Sequence, residues 1–183
     1  MGYEIAGGLG VKMAAPEREV YVMVGDGSYL MLSSEIVTSI QESLKLTIVL
    51  VDNHGFSSIG GLSRSLGTNG FGTQYRYRQN GSLGVDSDSP SAPLLPVDLA
   101  ANAESLGAKV IRCRTIDELR SGLKAAKQED STVVLAVEVD RYEGVPGYES
   151  WWDVPVAEVS EVEAVTAARE NYSRAKASLS RGD

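Results

Sequence analysis

Four short runs of apolar, largely β-branched residues place the strongest constraint on the fold of this chain. The runs are Val20–Val24, Leu46–Val51, Lys109–Cys113 and Thr132–Val139. They are apolar almost throughout and do not alternate with polar residues, which is typical of strands buried on both faces of a parallel sheet. We therefore predict four buried parallel strands.

Stretches with helical patterns lie between these runs. Ile36, Ile40 and Leu44 form one apolar stripe, and Thr115 and Glu118 have the spacing of an N-terminal capping box. The predicted helices are Tyr3–Ala15, Ser33–Leu44, Asp98–Leu106, Thr115–Gln128 and Ser160–Leu179. Strands that alternate with helices predict an α/β, doubly wound fold with a mainly parallel sheet and helices on both faces.

The length of 183 residues suits a single domain over residues 1–183. Within it, residues 57–96 are rich in glycine and show no periodicity, so we expect a long loop that is either a functional lid or disordered. Residues 140–183 are predicted to form a tail segment followed by the C-terminal helix, which opens with a second capping box at Ser160 and Glu163.

The net charge, the apolar runs and the single cysteine bear on the partners and the location of this chain. The formal net charge of −8 argues against nucleic acid or an anionic membrane as a partner. No apolar run approaches the ~20 residues that a membrane-spanning helix needs. Cys113 is the only cysteine, so no internal disulfide can form, and we expect it to be a buried thiol. With no secretory signal, these features favour the cytoplasm.

Polar residues follow the first two predicted strands at the point where each strand ends. Gly25-Asp26-Gly27 follows the first strand, and Asp52-Asn53 follows the second after the 24 residues 28–51. Neighbouring parallel strands lie about 4.8 Å apart, and their carboxyl ends meet at the edge where open α/β sheets bind ligands. Asp26 and Asn53 can therefore share one hard cation.

The residues around Asp26 suit a phosphate as well as a cation. Gly25 and Gly27 permit a sharp turn and a close approach to a ligand, and the helix that follows presents free N–H groups near Ser28 and Tyr29. A carboxylate beside a phosphate needs a cation between them, and Mg²⁺ prefers such a set of oxygen ligands. We interpret the motif as a Mg²⁺-bridged diphosphate site; the alternative is a simple turn, which Gly-Asp-Gly often forms.

The Gly-Asp-Gly motif, the gap of 24 residues and the closing acid–amide pair resemble the binding motif of thiamine diphosphate enzymes. The resemblance covers essentially the whole chain, as the pyrophosphate-binding domain of that superfamily. It implies that Asp26, Asn53 and the backbone carbonyl of Gly55 ligate Mg²⁺, and that Ser28 and the N–H groups after it hold the diphosphate. The usual closing pair is Asn-Asn, so Asp52 departs from the pattern at the position that is not a ligand.

The start of the chain, MGYEIAGGLG, is similar to the family segment in which a bulky apolar residue before a glycine keeps the cofactor bent. The resemblance implies that Met1 is that residue here, and we expect the residue before it, whose carbonyl helps to bind the aminopyrimidine in the family, to be absent from this chain. The resemblance implies these cofactor-binding residues: Met1, Gly25, Asp26, Gly27, Ser28, Tyr29, Asn53 and Gly55. The glycines of Ala6–Gly10 lack a preceding strand, so we expect them to permit close helix packing and not to form a dinucleotide loop.

The catalytic residues are unknown from the sequence. In this family the activating glutamate lies on a separate pyrimidine-binding domain of a partner subunit, for which this chain has no room. Glu4 and Glu35 lie in predicted helices and are not candidates. We therefore expect a fragment or split subunit that is inactive alone, pairs with a pyrimidine-binding domain of the same or a partner subunit, and forms a homodimer or higher oligomer. His54, the only histidine, is a candidate catalytic residue; the alternative is a histidine merely positioned by its loop.

A narrower resemblance rests on three segments taken together: Met1–Pro16, Asp52–Gly67 and Arg141–Glu161, the last of which contains Trp151 and Trp152. All three are similar to a branch of the family whose members hydrolyse a carbon–carbon bond and so open the ring of a polyhydroxylated cyclic diketone in inositol catabolism. The two tryptophans either pack the tail or contact the substrate, and the former is expected. Three loop arginines are weaker candidates for substrate contact: Arg64, Arg76 and Arg78.

Two alternative functions share the same metal motif or the same fold. The first is a carboligase or decarboxylase of the acetolactate synthase type, which would share Asp26 and Asn53 but not the tail around Trp151. The second is a domain kept for binding or assembly, without catalysis.

Overall fold

The computed structural model of the chain describes residues 1–70, 72–78, 93–145, 147 and 151–179. The chain divides into two compact units. The first unit comprises Met1–Gly55 and Pro96–Arg141, and the second comprises Phe56–Leu95 and Tyr142–Asp183. The helices are α1 (Glu4–Ala14), α2 (Asp26–Met31), α3 (Glu35–Gln41), α4 (Ser57–Ser65), α5 (Leu99–Ser105), α6 (Ile116–Ala126) and α7 (Glu163–Leu179).

The first unit contains a four-stranded parallel sheet. Its strands are β1 (Tyr21–Gly25), β2 (Thr47–Asp52), β3 (Lys109–Cys113) and β4 (Val133–Glu138), in the spatial order β1-β2-β4-β3. All three strand pairs are parallel. The prediction of four parallel strands is confirmed, and every strand boundary lies within one residue of the predicted one. The prediction that each strand is buried on both faces is wrong for β1, in which buried and exposed residues alternate and Met23 is 74% exposed.

Apolar side chains pack on both faces of the central strands β2 and β4. On one face, Ile48, Leu50 and Val134 pack into a buried core with residues of α1, α3 and α5. On the other face, Val133 and Leu135 pack with residues of α6. Cys113 is buried in this second cluster, as the sequence predicts. The predicted α/β class with helices on both faces is confirmed.

The crossover between β1 and β2 differs from its prediction, because two short helices replace one long one. The helix predicted over Ser33–Leu44 is α3, which ends at Gln41, and the separate helix α2 precedes it. Ser43 has φ +52, outside the helical range, so the chain turns there. Leu44 still packs against the core, which explains why the apolar stripe extends past the end of the helix.

The predicted helix caps are formed in part. The Asp98 side chain accepts a hydrogen bond from Ala101 N at 2.9 Å, and Thr115 Oγ1 accepts one from Glu118 N at 3.1 Å. The capping box predicted at Ser160 is wrong: Ser160 Oγ accepts from Val162 N at 3.1 Å, and α7 begins only at Glu163.

The second unit corrects the prediction of an irregular loop over residues 57–96, because Ser57–Ser65 forms the helix α4. Gly60 and Gly61 lower the helix propensity of this segment and conceal it in the sequence. Arg76 and Leu94 form an isolated antiparallel bridge. Residues 79–92 of the predicted loop lie outside the described residues.

The tail of the second unit packs along α7. The Trp151 ring stacks on Tyr172, with centroids 6.3 Å apart and planes at 26°. Arg169 Nη1 donates to Val156 O at 2.9 Å, and Val156 is buried. Trp151 therefore packs within the tail as expected, whereas Trp152 is 69% exposed. In the described part of the chain, no helix has the length and apolar character needed to cross a membrane.

The close packing of α1 on β1 generates a first prediction. A Cβ added at Gly8 would lie 2.3 Å from Val22 Cγ2, whereas one added at Gly10 would meet nothing within 4 Å. We expect Gly8→Ala to lower the free energy of unfolding by about 1–3 kcal/mol through overpacking. Gly10→Ala, in the same helix, should raise it by about 0.5–1 kcal/mol. Urea denaturation of both variants checks this, and equal effects would contradict the packing described.

Candidate metal and diphosphate site

The predicted motifs lie at the same edge of the sheet. In the β1–β2 register, Gly25 pairs with Val51, so Asp26 and Asp52 are the next residues on neighbouring strands. The sequence prediction that the two strand ends meet is confirmed. The role of each residue as a ligand depends on the position and burial of its own oxygen atoms.

Asp26 is the buried centre of this edge. Its side chain is 1% exposed. Oδ2 accepts a hydrogen bond from Gly55 N at 2.7 Å, and Oδ1 accepts one from Gly27 N at 2.9 Å. The structure thus joins two of the three predicted metal ligands, Asp26 and Gly55, by a direct hydrogen bond.

The surroundings of Asp26 oppose its ionisation. Its pKa is raised to about 6, chiefly because burial disfavours the charged form; the N–H groups of Gly55 and Gly27 act in the opposite direction. The hydrogen bond and the charge of Asp52 raise it further. A buried carboxylate beside a second carboxylate is the environment in which a bound cation is favourable.

The turn that follows β2, residues Asp52–Gly55, is held tightly; we refer to it as the β2 turn. Asp52 Oδ1 accepts from His54 N at 2.9 Å. His54 has φ +58 and Gly55 has φ +154, both uncommon backbone conformations. The turn aims the Gly55 N–H at Asp26.

The end of β4 contributes two residues that the sequence analysis missed. Glu138 Oε1 lies 2.9 Å from His54 Nε2. Arg141 Nη1 donates to Asn53 O at 3.2 Å and to His54 O at 3.1 Å. A signal was present, because Glu138 lies near the end of the fourth predicted strand, Thr132–Val139, and the carboxyl ends of parallel strands share one edge. The observed register pairs Glu138 with Asp52. His54 is therefore a histidine anchored by its neighbours, and its catalytic role stays a prediction.

Asn53 shows the clearest fit to a metal ion. Its Oδ1 is buried and, among the described residues, accepts no hydrogen bond. An orphaned buried oxygen is costly unless something binds it. Within the described residues, no group of three His, Cys, Asp and Glu side chains is placed to hold a metal. A cation here would therefore depend on mixed oxygen ligands: the Asp26 carboxylate, the Asn53 amide and a backbone carbonyl, which suit Mg²⁺.

The first turn of α2 lies directly beside Asp26. Gly25 has ordinary extended angles, φ −79 and ψ 156, so the turn itself does not require glycine there, contrary to the expectation of a sharp turn. A Cβ at Gly25 would meet nothing within 4 Å, which leaves room beside the strand end. Ser28 is buried, and the first N–H groups of a helix have no partner within it.

Tyr29 has a structural side chain. It is fully buried and its hydroxyl donates to Asn102 Oδ1 at 2.8 Å, which ties α2 to α5. Burial raises its pKa to about 12. Only its backbone is placed to contribute to the site.

The chain start lies beside α2. A Cβ at Gly2 would lie 3.1 Å from Met31 Cβ, and Met1 is 64% exposed. Glu4 lies in the first turn of α1 as expected; its pKa is lowered by its own backbone N–H and also by a hydrogen bond with Ser28. Met1 as the residue that bends the cofactor stays a prediction.

The three loop arginines lie in the second unit. Arg64 is in the last turn of α4, Arg76 contacts Gln74 Oε1, and Arg78 follows in the same segment. Their contact with substrate stays a prediction.

Comparison with known proteins agrees with this geometry. Residues 1–137 match the family described as "Thiamine pyrophosphate enzyme, C-terminal TPP binding domain". Two curated relatives, from Bacillus cereus and Clostridium botulinum, are each 43% identical over 171 residues, 93% of this chain. They are named 3D-(3,5/4)-trihydroxycyclohexane-1,2-dione hydrolase 2 and 3D-(3,5/4)-trihydroxycyclohexane-1,2-dione hydrolase. The chain spans only 26% of the length of each.

Solved structures show the same fold at low sequence identity. The thiamine diphosphate-dependent 4-hydroxybenzoylformate decarboxylase of Rhodococcus jostii superposes with a TM-score of 0.60 at 18% identity, over 76% of this chain and 23% of that one. Benzoylformate decarboxylase from Polynucleobacter necessarius gives a TM-score of 0.56 at 21% identity, over 75% and 23%.

The raised pKa of Asp26 generates a prediction for the metal-free chain. An acid whose pKa is about 6 when folded and ~3.9 when unfolded binds more protons in the folded state between these values, so its contribution to stability falls as pH rises through that window. The free energy of unfolding of wild type minus that of Asp26→Asn should therefore decrease between about pH 4 and pH 6, whatever constant offset the lost hydrogen bond adds.

Denaturation in chelator at a series of pH values measures this difference. Asp117→Asn, on the exposed surface of α6, is the control for the loss of a carboxylate elsewhere in the chain. A difference for Asp26→Asn that increases with pH would contradict the burial described.

Proposed function

This chain belongs to the thiamine pyrophosphate enzyme family, as its C-terminal TPP-binding domain, and we propose that it binds thiamine diphosphate through a Mg²⁺ ion held by Asp26, Asn53 and the Gly55 carbonyl. The observation that carries the metal assignment is the buried Asn53 Oδ1, which accepts no hydrogen bond within the described residues and belongs to the turn whose Gly55 N–H binds the buried Asp26 carboxylate. The hydrogen bond from Gly55 N to Asp26 Oδ2 supports Gly55 as the third ligand.

In this proposal, the diphosphate lies against the first turn of α2. Ser28 and the N–H groups around Tyr29 bind its oxygens, and the open space beside Gly25 admits the ligand. Gly27 N–H is already used by Asp26, so it orients the metal ligand and leaves the phosphate to its neighbours. Met1 bends the cofactor from the other side.

Thiamine diphosphate, when bound, supplies a nucleophilic carbon and an electron sink for carbon–carbon cleavage. This chain's residues supply anchoring and orientation. The activating glutamate belongs in this proposal to a pyrimidine-binding domain of the same or a partner subunit, and the working enzyme is a dimer or a higher oligomer.

The relatives' names suggest the reaction. We propose that the whole enzyme hydrolyses a carbon–carbon bond of 3D-(3,5/4)-trihydroxycyclohexane-1,2-dione, a polyhydroxylated cyclic diketone. The support is 43% identity over 93% of the chain. His54, Arg64, Arg76 and Arg78 remain candidates for substrate contact. The lone buried thiol of Cys113 supports a reducing cytoplasm as the location.

Calorimetric titration of thiamine diphosphate into the chain, with and without Mg²⁺, tests the anchor. We expect Mg²⁺-dependent binding that is weakened at least ~100-fold by Asp26→Asn or Asn53→Ala, because the first removes the negative charge that faces the ion and the second removes an oxygen ligand. Asp117→Asn should bind as wild type does. Binding that ignores Mg²⁺ would contradict the metal bridge. Stable oligomers without any cofactor binding would favour the alternative of an assembly module.

A chimaera tests the activity. This chain replaces the matching segment of the Bacillus cereus relative, and turnover is measured on the cyclic diketone and on pyruvate. We expect ring opening, lost when the chimaera carries Asp26→Asn, and no ring opening by the 183-residue chain alone. Preference for pyruvate would favour the carboligase or decarboxylase alternative, and turnover by the isolated chain would contradict the need for a partner domain.

A further inference from the structure

The sequence analysis gives Arg141 no role of its own, yet this residue contacts the β2 turn directly. We propose that Arg141 is a positioning residue for the metal site: its guanidinium holds the β2 turn so that Asn53 Oδ1 and the Gly55 carbonyl meet the ion that Asp26 binds. This inference rests on the proposed Mg²⁺ site and assigns to it a supporting residue from the segment that follows β4.

The contact is made with backbone atoms, so it controls the course of the chain. Arg141 Nη1 donates to Asn53 O at 3.2 Å and to His54 O at 3.1 Å. Its Nε and Nη2 atoms are buried as well, so the guanidinium lies within the fold. Arginine stays protonated at any physiological pH, so the guanidinium keeps the N–H donors that hold the β2 turn, a contact we call the clamp.

The turn needs such support because its backbone is unusual. His54 is a non-glycine residue with φ +58, a sparsely populated conformation that persists only where its surroundings fix it. Three contacts from the end of β4 do so. Val139 N donates to Asp52 O at 2.9 Å, and Glu138 contacts the His54 ring. Arg141 donates to the carbonyls of Asn53 and His54.

The clamp also decides which oxygens are left for a cation. The carbonyls of Asn53 and His54 are turned toward Arg141, so they are not directed at the ion. Gly55 N–H points to Asp26 Oδ2 at 2.7 Å, which fixes the peptide that precedes the ligand carbonyl. Mg²⁺ demands near-ideal octahedral geometry, so a small displacement of two of its ligands weakens binding.

The test compares Arg141→Met, which keeps the side-chain length and removes the donors, with Arg120→Met as a matched control on exposed α6. The apparent affinity for Mg²⁺ is measured calorimetrically at saturating thiamine diphosphate. Supporting partners of metal ligands typically contribute 10–100-fold to metal affinity. We expect a loss of about that size for Arg141→Met and none for Arg120→Met, with full binding restored at high Mg²⁺ because the ligands themselves are intact.

Hydrogen exchange without metal gives a second readout. The Gly55 and His54 amides should exchange about tenfold faster or more in Arg141→Met, in proportion to the weakened turn, while the amide of Leu50 in β2 keeps its rate. Unchanged turn amides together with unchanged Mg²⁺ affinity would overturn the proposal. Faster exchange of Leu50 as well would also overturn it, because the residue would then support the whole sheet.

The two readouts separate this inference from the proposed function. If wild type binds no thiamine diphosphate but the Gly55 amide still loses protection in Arg141→Met, the proposed function fails and the positioning role stands. Arg141→Lys keeps the charge and loses the planar guanidinium, so an intermediate exchange rate at Gly55 supports a geometric clamp. A rate equal to wild type would show that charge alone suffices and would overturn the clamp as described.

Discussion

The hydrogen bond from Gly55 N to Asp26 Oδ2 is the interaction on which the candidate site depends. It joins the end of β1 to the turn after β2, two points far apart in sequence. Because Asp26 is buried, this bond and the one from Gly27 replace the water that an exposed carboxylate would bind. The two hydrogen bonds compensate for only part of the lost hydration, because the pKa of Asp26 is still raised. A positive charge beside Asp26 would therefore stabilise its ionised form.

The strand order explains why a third strand takes part. β4 lies next to β2, although β3 precedes it in the chain, so the end of β4 lies beside the β2 turn. Glu138 and Arg141 reach His54 and the turn's carbonyls from this position. The site is thus built from the ends of three strands, and the helices on both faces of the sheet hold these ends in register.

Much of this could be predicted from the sequence, because the strongest signals are local. Apolar runs mark the strands, and the Gly-Asp-Gly and Asp-Asn pairs mark the edge where they end. The helix over Ser57–Ser65 is not evident from the sequence because two adjacent glycines lower its helix propensity. The helix in the crossover is predicted too long because Leu44 packs in the core without being helical. Arg141 could not be found, because its role depends on the pairing of β2 with β4, which the order of residues along the chain does not reveal.

A crystal structure of the chain grown with thiamine diphosphate and Mn²⁺ in place of Mg²⁺ would test the central claim most directly, since the anomalous signal locates the ion. The account predicts one ion at the β1–β2 edge, bonded to an Asp26 carboxylate oxygen, Asn53 Oδ1 and Gly55 O, with the remaining positions filled by diphosphate oxygens and water. An ion bound elsewhere, or a diphosphate bound at this edge with no metal between it and Asp26, would contradict it.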